Sequence, residues 1–153
     1  MKKVLIAVDD SKGSQATVDA FAALFSCARP ETVVLLYVQK IEGKSLMDEM
    51  LGVAELSTLK EELQGTAYQE TLDKRARAVL EHFSQALVRA GASNIKTVVK
   101  EGHPADEVLA TAKEEGADMI VVGSRGKRLH TIMMGSVSRE IANRAEVPVL
   151  NAR

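Results

Sequence analysis

Tryptophan is absent from this 153-residue chain, and aromatic residues make up only 3% of it. That argues against the stacking platforms on which proteins hold unpaired bases. No charge of one sign dominates: 21 acidic side chains face 20 Lys and Arg, for a net charge of −1. A global basic footprint for nucleic acid or an anionic membrane is therefore missing, and no contact with either is expected. Cysteine occurs once, as Cys27 in "LFSCARP", so no internal disulfide forms, and a small buried hydrophobe is the expected role. No apolar run approaches the roughly 20 residues that span a bilayer. The N-terminal run 4–8 is too short for a secretory signal. These absences point to a reducing cytoplasm. Only three histidines occur, and no Ser-His-Asp or Cys-His set can be placed on one side of a sheet, so covalent catalysis has no candidate nucleophile.

What the chain does have is apolar content, 46%, with 27% charged residues, the balance of one folded domain over residues 1–153. "VLIAV" (4–8) and "TVVLLYV" (32–38) are continuous apolar runs, the pattern of strands buried on both faces. Between them Val18, Phe21, Ala22 and Phe25 recur at helical spacing, and Pro30 lies beyond that helix. Residues 40–94 form a long excursion. Its first part is loosely helical and interrupted by Gly43, Gly52 and Gly65. Its second part puts Leu72, Ala76, Val79, Phe83, Ala86, Leu87 and Ala90 on one face, with Gly91 as a stop. "IKTVVK" (95–100) is a less apolar strand suited to a sheet edge. Pro104 opens a further helix, with Asp106 and Glu107 in its first turn, Ala105, Val108, Leu109 and Ala112 facing inward, and Gly116 ending it. "DMIVVGS", a helix over 136–145 and a strand over 147–150 close the chain. The alternation predicts an α/β fold: a parallel sheet of five strands with helices on both faces and right-handed crossovers.

In such sheets ligands bind beyond the carboxyl ends of the strands, where strand order reverses. "DDS" after the first strand and "GSRG" after the fourth both lie at such ends, and they face one crevice if those strands are neighbours. Gly123, Gly126 and Gly135 let backbone amides approach a ligand, and Gly135-Ser136-Val137-Ser138 leads into a helix N-terminus with its unpaired donors. Arg125, Lys127, Arg128 and His130 add positive charge. Two readings of this stretch stay open: a phosphate cradle, or turn glycines with Ser136 or Ser138 as an ordinary cap. Neither Walker A nor G-x-G-x-x-G is present. Asp9 and Asp10 divide likewise between accepting hydrogen bonds from a ribose or adenine and capping the following helix. Nothing nearby completes a metal site around them. His82 and His103 read as surface or helix-end residues.

Taken together, "VLIAVDDS", "VVLLYV", "EGHPADEVLATAKEEGADMIVVGSRG" and "MMGSVSREIANRAEVPVL" resemble the universal stress protein family over essentially the whole chain. The resemblance implies a Rossmann-like three-layer sandwich with strand order 3-2-1-4-5. It also implies a homodimer through the last strand, involving Val147, Val149 and Asn151. The nucleotide-binding branch of the family is similar to Gly-x-x-Gly, nine residues, then Gly-Ser or Gly-Thr. Here Gly123-x-x-Gly126 and Gly135-Ser136 match, with eight residues, 127–134, between them. Carried over position by position, Ala7, Val8, Asp9 and Val38 fall at the adenine and ribose end. Gly123 and Arg125 border the ribose and the loop, and Gly126, Gly135, Ser136, Val137 and Ser138 fall at the phosphates. The expected ligand is ATP or a shorter nucleotide such as ADP or AMP, with Mg accompanying the phosphates. The expected role is a nucleotide-sensing dimer in the stress response. The alternatives are a nucleotide-free protein acting through protein contacts, and a slow ATPase. Residues 44–66 are the alternative dimer surface.

Overall fold

A computed structural model describes residues 1–26, 29–39, 67–124 and 135–153. Expectations for Cys27, Arg125, Gly126, His130 and residues 40–66 fall outside that set. Among the described residues the order is β1 (Lys3–Val8), a 3-10 turn (Lys12–Ser14), α1 (Gln15–Leu24), β2 (Thr32–Gln39), α2 (Ala67–Arg89), β3 (Ile95–Glu101), α3 (Pro104–Glu115), β4 (Met119–Gly123), α4 (Ser136–Arg144) and β5 (Val149–Ala152). The strands form one parallel sheet, ordered β3-β2-β1-β4-β5. β3, the least apolar strand, is therefore an edge, because only an edge tolerates polar residues such as Lys96 and Thr97 in exposed positions.

Period-two alternation divides the buried side chains between two faces. Val4, Ile6, Val8, Val33, Leu35 and Tyr37 pack with Phe21, Phe25, Leu80, Phe83 and Leu87, beneath α1 and α2. Leu5, Val34, Leu36, Ile120 and Val122 pack with Ala105, Val108, Ala112 and Ile141, beneath α3 and α4. Of the inward face expected of α2, Ala76, Val79, Phe83, Ala86, Leu87 and the following Ala90 pack on the sheet with Leu80 added, while Leu72 is half-buried outside that cluster. Gly91 and Gly116 follow α2 and α3 at φ 97° and 61°, where a side chain would be strained.

Three expectations are corrected. Ala22 is exposed and Thr17 is buried in its place, since α1 starts at Gln15 and turns Thr17, Val18 and Phe21 to the sheet. α3 buries Thr111 together with Ala105, Val108 and Ala112, whereas Leu109, expected inward, is only half-buried. The last strand is Val149–Ala152, two residues later than 147–150. Proline has no N–H to give a ladder, so Pro148 contributes only its carbonyl, which accepts the Ile120 N–H at 3.0 Å, and pairing begins with Val149 opposite Ile120.

Candidate functional site

β1 lies between β2 and β4, and the connection after β1 runs to β2 on one side while the connection after β4 runs to β5 on the other, so the strand order reverses between them. At that reversal the loops after β1 and β4 part and leave a crevice at the carboxyl edge. A cavity of about 170 Å³ opens there. Every described residue placed at the nucleotide by the family resemblance lines it: Ala7, Val8 and Asp9 from the end of β1 and the turn after it, Val38 from β2, Gly123 from β4, and Gly135, Ser136, Val137 and Ser138 from the start of α4. Its wall also includes residues that sequence reasoning missed: Ser11, Ser14, Leu36, Pro104, Val108, Val122 and Ile141. Most of these are core residues whose outer ends form a cavity floor. Only the packing of α3 and α4 onto the sheet brings them there. Ser11 and Ser14 had a local signal, since Asp-x-Ser favours a side-chain-to-backbone turn.

The apolar floor carries polar groups at two ends. At one end Asp9 Oδ1 accepts the Ser11 N–H at 2.9 Å and the Ser14 hydroxyl at 2.7 Å, while Ser14 Oγ accepts the Asp9 N–H at 2.8 Å. Asp9 therefore braces the turn after β1, on the capping side of the two roles weighed from the sequence, and borders the cavity. The same carboxylate faces the Tyr37 phenol, whose pKa is raised above the usual value, first by burial and then by the Asp9 charge. Asp10 points elsewhere, forming an ion pair with Arg75 of α2. Beyond Asp9 and Ser11 a more open groove, about 360 Å³, runs under α2 past Lys12, Gln15, His82 and Phe83.

At the other end is the start of α4. Gly135 occupies its cap position at φ −55° and ψ 152°, and no side chain among the described residues caps the helix. A helix N-terminus in that state offers backbone N–H groups and a partial positive charge to an anion. Among the described residues, a Cβ on Gly135 would meet nothing nearer than Ser138 Oγ at 3.7 Å. The Ser138 hydroxyl donates to the Gly135 carbonyl at 3.1 Å and is buried, which leaves the backbone amide as this residue's donor to the cavity. Ser136 is exposed at the mouth.

Gly123 joins the two ends. A Cβ there would lie 2.2 Å from the Gly13 carbonyl oxygen and 2.6 Å from its carbon. The turn after β1 therefore rests against the end of β4, and glycine is required by that approach.

The described residues do not form a protein-held Mg site in the cavity. Asp9 is the one carboxylate among the described residues lining it, so a Mg ion there would take most of its ligands from water and phosphate. A group with metal-ligand spacing, His103, Asp106 and Glu140, lies on α3 and α4. There Arg144 Nη1 sits 2.7 Å from both Asp106 Oδ1 and Glu140 Oε1 and already supplies the cation. Its hydrogen bond is the main cause that lowers the Asp106 pKa. His103, at the cap position of α3, is half exposed as expected.

A parallel 3-2-1-4-5 sheet with a crevice at its strand-order reversal defines a Rossmann-like α/β protein. The model of the universal stress protein family matches residues 1–153, and the chain belongs to that family. Among curated relatives it is 30% identical to universal stress protein MJ0577 of Methanocaldococcus jannaschii, over 97% of this chain and 93% of the relative. It is 31% identical to universal stress protein YxiE of Bacillus subtilis, over 99% and 98%. The solved structure of MJ0577 superimposes with a TM-score of 0.74 at 27% identity, covering 99% of this chain and 94% of that one. An Arabidopsis thaliana family protein with AMP bound shares the fold, with a TM-score of 0.67 at 20% identity over 99% and 91% of the two chains. No helix among the described residues is long and apolar enough to cross a membrane.

Proposed function

We propose that this protein binds an adenine nucleotide in the crevice between β1, β4 and α4, and that it works as a cytoplasmic nucleotide-sensing dimer in a stress response. One observation carries the reading: side chains and amides from four separate segments, 7–9, 38, 123 and 135–138, line a single cavity. Its apolar floor suits a purine, Asp9 offers a carboxylate to ribose or base donors, and the uncapped α4 N-terminus suits phosphate. The cavity is smaller than the roughly 300–1,000 Å³ of pockets that enclose a whole drug-sized ligand. It therefore holds part of the nucleotide, with the remainder at the mouth near Ser136. A metal would accompany the phosphates rather than be held by protein. No general base stands beside the α4 N-terminus among the described residues, so binding rather than turnover is the expected activity. The AMP-bound relative of the same fold supports the choice of ligand class. Dimerisation is proposed through β5, an edge strand on which Val149, Leu150 and Asn151 remain partly exposed.

The test is mass spectrometry of the denatured, purified protein for co-purified nucleotide, followed by calorimetry with AMP, ADP and ATP, and GMP as control. In Gly135→Val the added side chain stands beside the α4 N-terminus, so affinity should fall most for ATP while the melting temperature stays near wild type. Unchanged affinity in that variant would remove the phosphate assignment. Absence of binding by the wild type would leave the nucleotide-free reading.

A further inference from the structure

We propose that Ser14 is a positioning residue for the nucleotide site, setting the Asp9 carboxylate toward the ligand; this rests on the nucleotide reading above. Ser14 closes a ring with a single residue. The Asp9 N–H donates to Ser14 Oγ at 2.8 Å, and the same hydroxyl donates to Asp9 Oδ1 at 2.7 Å. A hydroxyl has one proton to give, and here it goes to the carboxylate. The Ser11 N–H, at 2.9 Å, is a second donor on the same oxygen. Two donors from different directions on one oxygen hold the carboxylate plane, where a lone Asp at a strand end would rotate. Ser14 is only 4% exposed, so bulk water does not compete for its hydroxyl.

The anchor is itself held from outside. Ser14 ends the 3-10 turn, and the preceding residue, Gly13, rests its carbonyl against Gly123 at the end of β4. The direction of the Asp9 carboxylate is thereby referred to the strand across the crevice rather than to β1 alone. Thr17 extends the same support, donating its hydroxyl to the Ser14 carbonyl at 2.7 Å from a fully buried position. Ser14 also borders the cavity, so the rival account is direct contact with the ligand.

A double-mutant cycle separates the two. Adenosine, AMP and ATP are titrated calorimetrically against wild type, Ser14→Ala, Asp9→Ala and the double variant, with thermal melts confirming that each is folded. If Ser14 acts through Asp9, Ser14→Ala weakens all three ligands by a common factor on the order of tenfold, as for a lost hydrogen bond to a charged group. In the Asp9→Ala background the same change then costs less than about twofold, because the coupling is lost with the partner. Additive losses overturn the proposal in favour of direct contact, and unchanged affinity in Ser14→Ala overturns it outright while leaving the nucleotide reading intact. A wild type that binds none of the three ligands removes the nucleotide reading and this proposal with it. Should Ser14→Ala fail to fold, the isosteric pair Ser14→Thr and Ser14→Val carries the test: the hydroxyl-bearing variant binds more tightly, and equal affinities overturn the assignment.

Discussion

Gly123→Ala probes the contact that holds the two sides of the crevice together. The new methyl carbon would lie 2.2 Å from the Gly13 carbonyl oxygen, while ordinary contact begins near 3.4 Å, so the backbones must separate by 3.4 − 2.2 = 1.2 Å. Neither side yields through a rotamer change. Gly13 is in the 3-10 turn, and Gly123 is paired in register with Ala152 of β5. Overpacking of this kind costs about 1–3 kcal/mol, and backbone rather than side-chain displacement puts it at the upper end. The reduced freedom of the unfolded chain offsets about 0.4–1 kcal/mol. A net loss of about 2 kcal/mol corresponds to a fall of about 4–8 °C in melting temperature for a domain of this size. Gly135→Ala is the control, since its methyl meets no described atom closer than 3.7 Å and its backbone angles suit any residue. It should lose under about 1 kcal/mol, the scale of a helix-cap change. Urea unfolding of the three proteins, compared at a common slope, reads the difference. A Gly123→Ala protein within about 0.5 kcal/mol of wild type would refute the close approach, and with it the anchoring of Ser14.

Two further outcomes concern assembly and acid stability. Val149→Lys places a charge on the β5 edge and should convert a dimer to a monomer by light scattering, since an unpaired ammonium would be buried in the contact; a variant that stays dimeric moves the interface elsewhere. The Asp118 carboxylate accepts the backbone N–H groups of Lys3 and Lys2, causes that hold its pKa below the usual carboxylate range. A group depressed on folding stabilises above its unfolded pKa of about 3.9 and loses that contribution as pH falls toward the folded value. Asp118→Ala should therefore lower the melting temperature at pH 7 and leave a smaller gap to wild type near pH 3, by thermal melts at both pH values. A gap of equal size at both pH values would show that the ionised carboxylate plays no part.

Much of this molecule follows from local pattern. Continuous apolar runs such as "VLIAV" announce buried parallel strands, because a strand covered on both faces has no position to spare for polar residues. The i, i+3, i+4 recurrence through Phe83 and Leu87 specifies the inward face of α2 for the same reason. The glycines and the carboxylate of the crevice were legible in the sequence, Ala7, Val8 and Val38 only through the family resemblance, and Ser11, Ser14 and the apolar floor were missed. Three things required the tertiary structure. Proline's missing N–H moved the start of β5 only once a neighbouring strand demanded a ladder. Gly123 and Gly135 look alike in sequence, yet one is filled by the backbone of Gly13 and the other meets no described atom nearer than Ser138 Oγ, a difference set by elements more than 100 residues apart for the first. Asp9 had two candidate roles, and only the fold of the turn shows that it braces the backbone while bordering the cavity. Ser14 must come within hydrogen-bonding distance to engage Oδ1, and that depends on Gly13 resting against a strand distant in the chain. Local sequence governs which backbone shapes and faces are favoured, whereas close approach between segments depends on how the whole sheet and its helices pack.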